Sequence, residues 1–65
     1  MRLIINGEER DYAAATLEAL IAELDMTSDR VAIELNHEIV PRAKWGATAL
    51  HDGDKLEIVH FVGGG

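Results

Sequence analysis

With 65 residues, the chain has room for one modest core and none for a second lobe that would enclose a cleft, which argues against an ordinary enzyme architecture. It holds no cysteine and three scattered histidines, so its stability must come from apolar packing rather than from disulfides or a structural metal; a content of 48% hydrophobic and 28% charged residues suits a chain that folds alone. The formal net charge of -6 argues against nucleic acid or an anionic membrane as the main partner, because both are bound through clustered Lys and Arg, and favours basic protein surfaces instead.

The opening apolar run Leu3-Ile4-Ile5 is far shorter than the core of a signal peptide or a membrane span, so the expected location is cytoplasmic. Arg2 to Asn6 is rich in Leu and Ile, Asn6-Gly7 is a tight-turn dipeptide, and Glu9 to Tyr12 can return as the antiparallel arm of a β-hairpin. After the weakly patterned Ala13-Ala14-Ala15, Thr16 is a suitable N-cap, and Leu17, Leu20, Ile21 and Leu24 follow at i, i+3, i+4 and i+7, predicting one amphipathic helix that ends near Asp25. Glu18 and Glu23 belong to its outer face, and Thr27-Ser28-Asp29 supplies the next loop.

Val31 to Leu35 reads as a strand, Asn36-His37 as a turn, and Glu38 to Val40 as a short strand stopped by Pro41. Arg42 to Leu50 lacks strand periodicity. The cluster His51-Asp52-Gly53-Asp54 then launches Lys55 to Phe61, an alternating β-branched run that leads directly into the glycines. The order implies an α+β fold: a small mixed sheet covered by one main helix. Its core should draw on the helix stripe and some of Leu3, Ile5, Val31, Ile33, Leu35, Leu56 and Ile58. The domain should occupy residues 1–61, with residues 62–65 as a flexible glycine-rich tail.

Three glycines at one given place arise by chance roughly once in 3000 sequences, so Gly63-Gly64-Gly65 asks for an explanation. Without Cβ atoms such a tail can pass extended through a channel too narrow for side chains, and at ~3.5 Å per residue Val62 to Gly65 spans about 14 Å. The α-carboxylate of Gly65, ionised at neutral pH, can attack the α-phosphate of ATP to give an acyl-adenylate, which is open to a sulfur nucleophile; a thiocarboxylate is one product. A flexible end or linker remnant explains the glycines equally well at this point.

Other candidate sites are weaker. His37, His51 and His60, with Glu38, Asp52 and Asp54 nearby, fall on different elements without ligand spacing. Glu8-Glu9 would point to opposite strand faces, and Asp52 and Asp54 sit in a turn, so no catalytic pair and no metal site is assigned. Neither Asn6-Gly7 nor Asp52-Gly53 opens a helix as a phosphate loop does, so ATP should bind a partner and no cofactor should bind here. Trp45 is expected in the core rather than at a docking surface. One helix covers one sheet face, which leaves Ile58, Phe61 and Val62 as candidates for a partner surface, with core burial the alternative for Ile58.

Asn6-Gly7, Ile39-Val40-Pro41-Arg42 with Trp45 shortly after, Asp52-Gly53-Asp54 and the ending Glu57-Ile58-Val59-His60-Phe61-Val62-Gly63-Gly64-Gly65 together resemble the ThiS family of thiamine-biosynthesis sulfur carriers over essentially the whole chain. The resemblance implies a ubiquitin-like β-grasp fold and adenylation of the terminal glycine by a ThiF-type enzyme. It further implies conversion to a thiocarboxylate, with a sulfur donor system such as a cysteine desulfurase, and delivery of sulfur to a ThiG-type thiazole synthase. On that pattern Gly65 is the modified residue, Gly64 completes the diglycine, and Phe61, Val62 and Gly63 lie in the partner's groove. Two neighbouring readings stay open: the small subunit of molybdopterin synthase, and a ubiquitin-like module that binds noncovalently or is conjugated to lysine.

Overall fold

In the computed structural model, which describes residues 1–61, Asn6 and Gly7 both take positive φ, 50° and 84°, and join β1 (Arg2–Ile5) to β2 (Glu8–Asp11) with Ile5 opposite Glu8. Positive φ at both centre positions is what a two-residue hairpin turn needs to follow the strand twist, and Gly takes it without a Cβ penalty. The same solution recurs at Asn36 and His37, φ 49° and 72°, between β3 (Val31–Leu35) and β4 (Glu38–Ile39). The second arm of the first hairpin starts one residue earlier than the sequence suggests, because the two-residue turn sets the register.

The predicted N-cap is present: Thr16 Oγ1 accepts a hydrogen bond from Ala19 N–H at 3.2 Å and opens α1 (Leu17–Glu23). The helix ends two residues before the expected Asp25. Asp25 lies in the left-handed region at φ 58°, with its N–H donating to Ala22 O and Met26 N–H donating to Ile21 O, both at 3.1 Å. That closure satisfies the last carbonyls and turns the chain, usually with glycine in the position Asp25 fills.

β5 (Lys55–His60) is the middle strand of a sheet ordered β2-β1-β5-β3-β4, parallel to β1 and antiparallel to β3. Leu3, Val31, Ile33, Leu56 and Ile58 meet Leu17, Leu20 and Ile21 of the helix in one buried cluster, joined by Ala14, Trp45 and Leu50; Ile5 and Leu35 are half-buried at its rim. Leu3, Leu17, Leu20, Ile33 and Leu56 are fully enclosed, and each such side chain contributes about 1.5–3 kcal/mol by leaving water.

Arg42–Ala47, which lacks strand periodicity, forms a 3-10 turn that carries Trp45 into the core at 2% exposure. Its indole Nε1–H donates to Val40 O at 2.9 Å, so the ring closes the core and keeps its polar atom paired. Glu23 has a more specific place than the solvated helix face: its carboxylate accepts hydrogen bonds from Ala13 N–H and Ala14 N–H at 2.9–3.1 Å, fastening the β2-to-helix loop.

Candidate functional site

The site is organised by β5, because this strand ends at His60, with only Phe61 and Val62 between it and the glycine run in sequence. Alternation sends Leu56 and Ile58 into the helix-side core and leaves Lys55, Glu57 and Val59 on the opposite face. Ile58, 6% exposed, is therefore not part of a partner surface: register against Ile33 commits its side chain to the helix. Val59, one residue on, is 55% exposed, Phe61 51% and Ile39 76%. Phe61 donates its backbone N–H to Arg30 O at 2.7 Å, which fixes the chain at the point of departure. Val62, Gly63, Gly64 and Gly65 lie outside the described residues.

The uncovered face carries a shallow groove of about 160 Å³ lined by Ala32, Ile39 and Val59, with Glu34 and Glu57 beside it. A second hollow, about 220 Å³, lies at the start of β5 between the two hairpin turns and is lined by Ile4, Gly7, Glu34, His37 and Lys55 among others. The first is nearer the C-terminal end of β5. Apolar side chains flanked by carboxylates on an exposed sheet face suit an apolar partner surface with basic groups around it.

Two asparagines, one from each hairpin turn, grip β5 by its backbone. The Asn6 side chain accepts from Ile58 N–H at 2.8 Å and donates to Ile58 O at 3.1 Å. On the other flank Asn36 Oδ1 accepts from Lys55 N–H at 3.0 Å, and its Nδ2 donates to Asp54 Oδ1 at 3.0 Å. Asn6 thereby acts as one further peptide unit of β1, adding a rung to the parallel ladder after the main chain has turned away.

The carboxylates weighed as chemical groups hold structure. Asp52 Oδ1 accepts from Arg2 N–H and Asp54 Oδ2 from His51 N–H, each at 2.8 Å, pinning the turn before β5. Glu8 pairs with Arg10, and Glu9 with Arg2, each at 3.0 Å. The Arg2 guanidinium is held above its usual pKa, first by its hydrogen bond to Glu9 and then by the charges of Glu9 and Asp11. Among the described residues no three His, Cys, Asp or Glu side chains come together as a metal site, and no helix is long and apolar enough to cross a membrane.

Ile39, Val59 and Asn6 are the residues that sequence reasoning leaves out of the site. Alternation sets Val59 opposite to Ile58 but leaves open which of the two faces inward, and Ile39 gave no signal of its own. Asn6 gave no signal beyond its turn, because its partner lies 52 residues away.

The ThiS family model matches residues 3–65. The chain is 56% identical over its full length to a thiazole synthase of Paramagnetospirillum magneticum, of which it spans 20%. It is 35% identical to the sulfur carrier protein ThiS of Bacillus subtilis, covering 97% of this chain and 98% of that one. The crystal structure of a thiamine biosynthesis protein (ThiS) from Geobacter metallireducens matches all of both chains at 33% identity with a TM-score of 0.83. The five-stranded mixed sheet with its single helix is thus the ubiquitin-like β-grasp, and the chain belongs to the ThiS family.

Proposed function

We propose that this protein is a sulfur carrier in thiamine biosynthesis and that the sulfur travels as a thiocarboxylate on Gly65. The observation that carries the reading is the family match through residue 65, glycine run included, supported by relatives of the same length named as sulfur carriers. The chain acts as a protein cosubstrate. A ThiF-type enzyme binds the ATP; the Gly65 carboxylate attacks its α-phosphate and pyrophosphate leaves. A partner's persulfide, charged by a donor system such as a cysteine desulfurase, then adds to the glycyl carbonyl and expels AMP, and a second partner thiol cleaves the resulting S–S bond, forming a disulfide and releasing the thiocarboxylate. Because this chain has no cysteine, any persulfide intermediate belongs to a partner.

The receiver is a ThiG-type thiazole synthase. Support comes from the two thiazole synthases that contain a region like this chain as about a fifth of their length. The core rigidly holds β5, and the glycines deliver the reactive end, in a cytoplasmic setting.

Incubation with ATP, a ThiF-type enzyme and a sulfur donor should exchange one terminal oxygen for sulfur, read by intact-mass spectrometry. An unchanged mass, with an enzyme that modifies another ThiS carrier in the same mixture, defeats the proposal.

A further inference from the structure

Every backbone group of β5 can be assigned a side. Asn36 N–H donates to Lys55 O and Phe61 N–H to Arg30 O, so in the antiparallel register with β3 Lys55, Glu57, Val59 and Phe61 turn their N–H and C=O toward β3. Leu56, Ile58 and His60 turn theirs the other way, toward β1. On that side Leu56 O accepts from Asn6 N–H at 2.9 Å, and the Asn6 side chain takes both groups of Ile58. His60 stands one rung further along, where β1 has already turned into the hairpin. Among the described residues nothing pairs with its N–H and C=O on that edge.

The remaining edges are defended. The outer strand β2 carries Glu8, Glu9, Arg10 and Asp11, all exposed, and β4 has two residues; charges and shortness are the usual obstacles to a strand adding there. At the step beyond Asn6 the edge carries no such charge, and its one open rung lies in line with β1. The exposed Val59 and Phe61 flank His60 on the uncovered face.

We propose that the free edge of β5 at His60 is a strand-addition site, and that its occupant is an extended segment at the mouth of the adenylating enzyme's channel. The inference rests on the carrier reading given above. The edge immediately precedes the tail, so an enzyme that receives Gly65 must pass alongside it. Main-chain pairing at His60 collinear with β1 aligns the departing chain with the channel and needs no particular side chain.

The test uses protein made by ligation with the His60 amide replaced by an ester, which removes the N–H and keeps the side chain. With the ThiF-type enzyme and ATP, KM for the carrier should rise about threefold to tenfold, as for one lost interfacial hydrogen bond, with kcat little changed. The ester also weakens the Val59 carbonyl, so amide exchange in the unmodified protein gives a second measurement: His60 should exchange fast when free and at least about tenfold slower with the enzyme. Phe61 should be protected in both states. An unchanged KM, or His60 exchange that the enzyme does not slow, overturns the inference while adenylation of the unmodified protein leaves the carrier reading standing. Protection that grows with carrier concentration alone assigns the edge to a second copy and also overturns it. Failure of the unmodified protein to be adenylated overturns both.

Discussion

Glu34 and Glu57 stand directly opposite each other across β3 and β5, on the sheet face that the helix leaves uncovered. Like charges in directly opposed positions destabilise a sheet by roughly 0.2–1 kcal/mol, and opposite charges stabilise by a similar amount. Glu57→Lys should therefore raise stability, with the upper end of that range moving the thermal midpoint by about 4–8 °C. Thermal unfolding at low salt measures it; a midpoint that stays or falls rejects the account.

Trp45 supplies both volume and a hydrogen bond to Val40 O. Trp45→Phe keeps most of the ring and leaves that carbonyl unpaired, so it should cost about 1 kcal/mol from the lost bond alone. Trp45→Ala removes a buried aromatic at about 3–5 kcal/mol, comparable with all that a domain of this size holds, and should be largely unfolded. Urea titration followed by circular dichroism separates the two. Equal losses would mean that the hydrogen bond is the whole contribution.

Asp25 occupies a left-handed position that glycine takes more cheaply. Asp25→Gly should stabilise by about 0.5–1 kcal/mol, less what the freer unfolded chain returns. A destabilised variant would show that the Asp25 side chain contributes something the backbone geometry does not reveal.

Among the described residues, every buried side chain of the core lies between Leu3 and Ile58. Removal of Gly65 should thus abolish thiocarboxylate formation while circular dichroism and the unfolding midpoint stay as they were. A truncated protein that fails to fold would contradict the separation of scaffold and reactive end.

The elements that could be read from the sequence are those with a local cause. Thr16 capping the Leu17, Leu20, Ile21 stripe needs one turn of chain, and Asn6-Gly7 carries its turn geometry in two residues. The face of β5 was not decidable in this way, since Leu56 and Ile58 compete with Val59 and Phe61 as apolar sets; the register with Ile33 decides it. The 3-10 turn at Arg42–Ala47 has no apolar period to reveal it. The site divides similarly. The glycine run announces itself, whereas the hold of Asn6 on Ile58 and the edge it leaves at His60 exist only once two ends of the chain are side by side.

The parallel placement of β1 against β5 also has a mechanical meaning. A pull on the segment that follows β5, taken up at the start of the chain, slides the two strands along each other. The rungs from Ile4 to Asn6 are then loaded together in shear and do not peel off singly. Resistance to such a pull is governed by the rate of unfolding rather than by equilibrium stability, so a domain of modest stability can still bear traction on the segment that follows β5.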